Sequence, residues 1–215
     1  MNISTKTQKL TQFSILFVIE VLFCFTPLGS IPLPSGIVAT LAMIPVILTA
    51  ILMGAKMGTL MGFLAGTLSF IIWTFMPPLP TGPAMAFVFT PFYSMGEVHG
   101  NFGSILICFV PRILVGTVSG LVFSGLKNLP PKAEWFRYVL AGVLGSLTNT
   151  LGVLGGIWLF FGETYSAMAE ASMITIIGVV LATNGAFEVG ASALAALFIC
   201  MPLQKSLEKQ RRQAR

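Results

Sequence analysis

The sequence predicts an all-α integral membrane protein with six transmembrane helices and both termini in the cytoplasm. Three observations carry that prediction. Of 215 residues, 55% are hydrophobic and 9% are charged, against about 25% charged in an ordinary soluble domain, and mean hydropathy is +0.91. Six apolar runs approach the ~20 residues that a helix needs to cross the hydrocarbon core. The connections between those runs alternate between carrying Lys or Arg and carrying neither.

The runs are Leu10 to Phe25, Ile37 to Met53, Gly58 to Phe75, Phe102 to Leu126, Trp135 to Phe161 and Ile174 to Met201. None alternates in polarity as the strands of a membrane barrel do. Lipid offers an open backbone no hydrogen-bond partners, so helices are the expected state, and residues 1–215 read as a single membrane domain. No Ala-x-Ala-like cleavage site follows the first run, which is therefore expected to remain as the first helix. Lys6 and Lys9 precede it. Lys56 lies in the second connection, and Lys127 and Lys132 lie in the fourth, with Arg137 just beyond. Lys205, Lys209, Arg211, Arg212 and Arg215 fill the tail. The first connection is uncharged, the third has Glu97 and His99, and the fifth has Glu163 and Glu170. Lys and Arg accumulate on cytoplasmic loops, so both ends belong inside, and an odd number of spans would break the alternation.

Two of the expected outer connections are unusual. Thr26 to Gly36 is rich in Pro and Gly, and Met76 to Asn101 is long, Pro-rich and apolar. A solvated loop would be polar. The longer one is expected to fold back over the helix ends, with a short re-entrant or interfacial piece at Ala84 to Phe92. It serves either as a lid or as a passive interfacial loop.

Several function classes lose their footing here. The net charge of +5 includes five basic residues beyond Pro202, a short tail without interleaved aromatics. That suits a cytoplasmic flank, not a nucleic-acid partner. Cys24, Cys108 and Cys200 lie far apart in apolar runs with no CxxC; they read as packing residues, not disulfide or zinc ligands. His99 is the lone histidine, so no metal site is expected. The chain has no GxSxG, HExxH or Walker A motif. No catalytic residues and no cofactor are expected, and no ATP binding of the P-loop kind by this chain.

Arg112 is the strongest single signal, ten positions inside the fourth run and directly after Pro111. A charge near the bilayer centre costs about 2.5–3.5 kcal/mol on insertion scales. A buried Glu, backbone carbonyls freed by the proline, or an anionic ligand would offset it. At ~1.5 Å per residue, Arg112 lies about 15 Å below Phe102, Asn184 about 15 Å below Ile174, and Asn149 about 16 Å below Phe160. Glu188 is one turn beyond Asn184 on the same face. Arg112, Asn149, Asn184 and Glu188 are therefore the candidate substrate-binding residues. The alternative is structural, with Arg112 paired to Glu188 and the asparagines gluing helices together. Glu20, about 8 Å from the outer end of the first run, either pairs with Arg112 or faces a partner. Gly58, Gly62 and Gly66 form a small-xxx-small ladder that admits close approach of another backbone, from this chain or from a second protein.

Three stretches carry a resemblance. They are Pro27 to Phe70, beginning PLGSIPLPSG; Pro111 to Phe123, PRILVGTVSGLVF; and Thr183 to Ala196, TNGAFEVGASALAA. Together they resemble the substrate-binding S components of energy-coupling factor (ECF) vitamin transporters, most of all the pantothenate branch. The resemblance implies a subunit that binds one small-molecule vitamin from outside with high affinity. It also implies a membrane coupling subunit and two ATP-binding cassette ATPases as partners in the cell membrane, with ATP hydrolysed by those partners and delivery by toppling in the bilayer. Family members often dock through an Ala-rich small-xxx-small pattern on the first helix. Here that helix reads FSILFVIEVLFCF, so the Gly58–Gly62–Gly66 ladder is the expected partner-docking face. A guanidinium binds a carboxylate through two parallel hydrogen bonds, and pantothenate, with one carboxylate, two hydroxyls and one amide, fits the residue inventory. Three alternatives stand beside it: an S component for another vitamin (cobalamin or hydroxymethylpyrimidine), a stand-alone secondary transporter or channel, and a structural protein whose Arg112 only pairs helices.

Overall fold

The computed structural model describes residues 5–26, 29–32, 38–77, 82–95, 98–169 and 171–213. Glu97, Glu170 and Arg215, which figure in the charge pattern, lie outside the described residues. Helix dominates, and the all-α class holds. In chain order come α1 (Thr5–Phe25), β1 (Ser30–Pro32), β2 (Val38–Thr40), α2 (Ile44–Met53), α3 (Ala55–Phe75), α4 (Gly82–Phe89), β3 (Ser94–Met95), β4 (Val98–His99), α5 (Phe102–Gly125) and α6 (Glu134–Ala169). The chain closes with α7 (Met173–Val180), α8 (Ala186–Ala195) and α9 (Met201–Gln213), which run on through π-helical turns at Leu181–Gly185 and Ala196–Cys200. β1 pairs antiparallel with β2, and β3 with β4.

Among the described residues, five helices are long and apolar enough to cross a membrane: Lys6–Phe25, Ala55–Phe75, Phe102–Gly125, Pro131–Thr164 and Met173–Leu207. Their polarity is inverted relative to a water-soluble protein. Phe75, Phe102, Leu159, Ile174 and Phe198 are exposed, whereas Glu20, Arg112, Asn149, Thr150, Asn184 and Glu188 are buried. Polar inside and apolar outside is the arrangement lipid requires, and the chain is a membrane protein.

The second apolar run departs from the expectation of a helix over Ile37 to Met53. Its described part, Val38 to Met53, folds as β2, a turn, and the ten-residue α2, which is about 15 Å long, half a bilayer. Pro45 at the first helical positions supports the late start, since its missing N–H is not needed there. The end at Gly54 has φ 93°, a conformation that favours glycine. α2 is buried from Pro45 to Ile51. Non-helical backbone is tolerated at membrane depth where protein covers it, and that condition is met here. The run expected over Trp135 to Phe161 ends where the backbone breaks, at Phe161 (φ −136°, ψ 15°), although helix resumes to Ala169.

The glycine ladder packs inside the chain. A Cβ on Gly62 would collide with the carbonyl of Arg112; one on Gly58 would sit 2.8 Å from the carbonyl of Gly116; one on Gly66 would meet the Phe109 ring at 3.0 Å. The Thr59 and Thr117 hydroxyls, 2.8 Å apart, hydrogen-bond across the same seam. Gly58, Gly62 and Gly66, the expected partner-docking face, therefore hold α3 against α5 within the chain. The consequence is direct. Gly62→Leu should destabilise the purified protein by about 1–3 kcal/mol, the usual range for overpacking, read as a lowered unfolding midpoint in detergent. Gly178→Ala, where an added Cβ meets nothing within 4 Å, should leave the midpoint unchanged.

Candidate functional site

Proline at 111 removes a backbone donor, so the carbonyl four residues earlier, Ile107, loses its helical partner. The Arg112 side chain turns back and donates from Nη1 to that carbonyl at 2.7 Å. Its guanidinium carbon lies 5.2 Å from the centre of the Phe89 ring, within reach of a cation–π contact. Phe89 ends α4, the short helix expected near Ala84 to Phe92, and stacks on Trp73 at 4.6 Å between ring centres. α4 thus covers the arginine. The ion pairs among the described residues join Glu134 to Arg137 and to Lys205; Arg112 belongs to neither. Glu188 and Glu20 are its charged neighbours, yet neither comes within ion-pair distance, so a locked Arg112–Glu188 pair is not formed. Arg112 Nε is buried without a hydrogen-bond partner.

Helices α5 and α6 run antiparallel in close contact. A Cβ on Gly152 would meet Pro111 at 3.0 Å, one on Gly156 would meet Ile107 at 2.6 Å, and one on Gly145 would collide with Ser119. Asn149 lies midway along this seam and therefore stands at the level of Arg112 and Val115. It is 6% exposed, and its Oδ1 has no hydrogen-bond partner. The next residue, Thr150, donates to Glu188 Oε2 at 3.1 Å, while the backbone N–H of Thr40 donates to Glu188 Oε1 at 2.7 Å. Glu188 thereby ties α6 and the β1–β2 hairpin to α8. Asn184, one turn earlier, sits buried in the π-helical turn Leu181–Gly185 and accepts from the Thr183 hydroxyl at 3.2 Å. Such turns are rare and recur at functional sites.

Arg112 and Asn149 are therefore brought to one level with unpaired atoms, whereas Glu188 is engaged in structure through both oxygens. Glu20 is a further electrostatic neighbour of Arg112. Thr150, the Thr40 amide and Phe89 escaped the sequence reading. The adjacent Asn149–Thr150 pair was a visible signal, but a backbone amide and one phenylalanine among eighteen give none. A separate cavity of about 610 Å³ opens at the α6–α7 end, lined by Trp158, Phe160, Phe161, Glu163, Ser166 and Met173. Phe161 and Met173 also pack with Phe87 and Ile107 in a buried apolar cluster, which connects this cavity's wall to the turn above Arg112.

Comparison with known proteins agrees with this arrangement. A model of the family "ECF transporter, substrate-specific component" matches residues 8–200. A curated relative, the pantothenic acid transporter PanT of Lactococcus lactis subsp. cremoris, is 33% identical over 157 residues, covering 73% of this chain and 72% of the relative. The inside-out polarity, the helical bundle and the match over most of its length together make this chain a member of the ECF transporter substrate-specific component family.

Proposed function

We propose that this chain binds pantothenate at the Arg112 level from outside the cell membrane and delivers it inward with energy from ATP hydrolysed by partner proteins. The observation that carries the reading is the incompletely paired buried guanidinium. Arg112 keeps Nε free, and no carboxylate quenches it. A charge so placed attracts an anion strongly, because water does not compete. Asn149 offers a free acceptor one helix away, suited to a hydroxyl or amide donor. Pantothenate has one carboxylate, two hydroxyls and an amide, and the relative from Lactococcus is named for its acid. Asn184 and Glu188 complete the proposed site, Glu188 by holding the wall.

The topology proposed for this function has six crossings in a single domain, residues 1–215, with both termini cytoplasmic. The crossings are α1, the β1–β2 hairpin continued by α2, α3, α5, α6, and the α7–α9 rod. The alternation of Lys and Arg supports it. In this orientation α4 and the β1–β2 hairpin lie on the outer side and gate the site, α4 through Phe89 and the hairpin through Glu188. The proposed partners are a membrane coupling subunit and two ATP-binding cassette ATPases. Their docking face lies elsewhere than the α3 glycines. α1 presents Ile15, Val18, Leu22 and Phe25 outward, an apolar stripe available to lipid or to that subunit.

The test is thermal unfolding of the purified protein with and without the vitamin. Pantothenate at 100 times its Kd should stabilise the wild type by about 2.7 kcal/mol. Arg112→Ala should abolish the response, and Arg112→Lys should retain only part of it, since an ammonium lacks the two-pronged geometry. Normal binding by Arg112→Ala would sink the clamp. The gate is tested separately. Glu188→Leu removes the acceptor of the Thr40 amide, so hydrogen exchange at residues 38–41 should accelerate at least tenfold, while exchange in α3 and α5 stays unchanged.

A further inference from the structure

Among the described residues, Glu20 is the one buried carboxylate that neither the fold nor the proposed binding pair uses. It is fully buried on the face of α1 that carries Leu16 and Cys24 into the core. Oε1 accepts a weak hydrogen bond from Cys24 Sγ at 3.4 Å, one turn along the same helix. Oε2 is buried with no partner. Glu20 therefore glues α1 to no other element, and packing alone would be served better by an apolar residue of the same volume. Its charged neighbour is Arg112.

Three side chains on three helices thus leave buried atoms unpaired, the Glu20 Oε2 acceptor, the Arg112 Nε donor and the Asn149 Oδ1 acceptor, and Glu20 and Arg112 interact electrostatically. A complementary ligand brings an anion for the arginine and two donors for the acceptors. We propose that Glu20 is a specificity-determining residue that accepts a hydrogen bond from a ligand hydroxyl through Oε2, selecting hydroxylated monoanions. The inference rests on the pantothenate reading above and deepens it. Its logic is attractive and repulsive at once. With the ligand carboxylate on Arg112, a hydroxyl facing Glu20 satisfies the free oxygen. A ligand without that hydroxyl leaves a buried carboxylate oxygen unpaired, a heavy penalty.

The experiment compares dissociation constants of the purified full chain for pantothenate and for its two monodeoxy analogues, each lacking one hydroxyl. In the wild type at least one analogue should bind ten times or more weaker than pantothenate. In Glu20→Leu that ratio should fall to near one, because the mutant no longer distinguishes the hydroxyl. A merely structural role would weaken all three ligands alike and leave the ratio intact, which would overturn the proposal. Glu20→Met keeps the length without a hydrogen-bonding oxygen should the leucine variant fail to fold; there too the ratio should fall to near one, and an unchanged ratio again overturns the proposal. Absence of pantothenate binding in the wild type is a different result. It removes the substrate reading itself, and this inference with it.

Discussion

The constraint on which the bundle depends is a guanidinium held in a low-dielectric interior without a carboxylate against it. Insertion of Arg at this depth costs at least about 2.5–3.5 kcal/mol. The fold offsets the cost in three small parts, and none of them quenches the charge. Pro111 frees the Ile107 carbonyl for Nη1, Phe89 lays its ring near the cation, and two carboxylates stand off beyond ion-pair distance. A close Glu–Arg pair would have been the simpler device for holding helices together. Its absence leaves Arg112 a charge to offer the proposed ligand, which a fully paired arginine would not have.

Placement of that charge is set by backbones, not by side chains. α3 and α5 touch along Gly58, Gly62 and Gly116, and α5 and α6 along Gly145, Gly152 and Gly156. In lipid no hydrophobic force drives helices together, so close packing of small residues is what fixes them. α5 is consequently clamped on two sides at the turns flanking Arg112. Gly62 against the Arg112 carbonyl fixes the depth from which that side chain starts.

The sequence displayed the lipid-phase class, the long helices and the level of Arg112, since apolar run length and charge alternation are read directly from the chain. Residues 38–53 were not legible as strand and half-helix. Val38–Thr40 continues an apolar stretch, and an unbroken apolar stretch does not separate strand from helix by periodicity. Pro45 and Gly54 were the local signals, and they mark the two ends of α2. The glycine ladder was visible, but its partner was not: spacing shows that some backbone comes close, and only the folded chain shows that it is α5. Likewise the carbonyl freed by Pro111 was a candidate for Arg112 from sequence chemistry alone, while the Thr40 amide on Glu188 required the hairpin to be folded.

That last contact gives the proposed site its division of labour. A strand end at membrane depth leaves an amide that must find an acceptor. Glu188 supplies it with one oxygen and holds Thr150 with the other, so its negative charge is anchored to the gate. Arg112 feels that charge without touching it. In the proposed site, an anion arriving on Arg112 would share with Glu188 the field that the arginine provides, and the hairpin hangs on that carboxylate. Coupling of this kind needs no moving helix. It needs only a shared arginine and a carboxylate with both oxygens committed, and the cluster of Arg112, Glu188, Thr150 and the Thr40 amide meets that requirement.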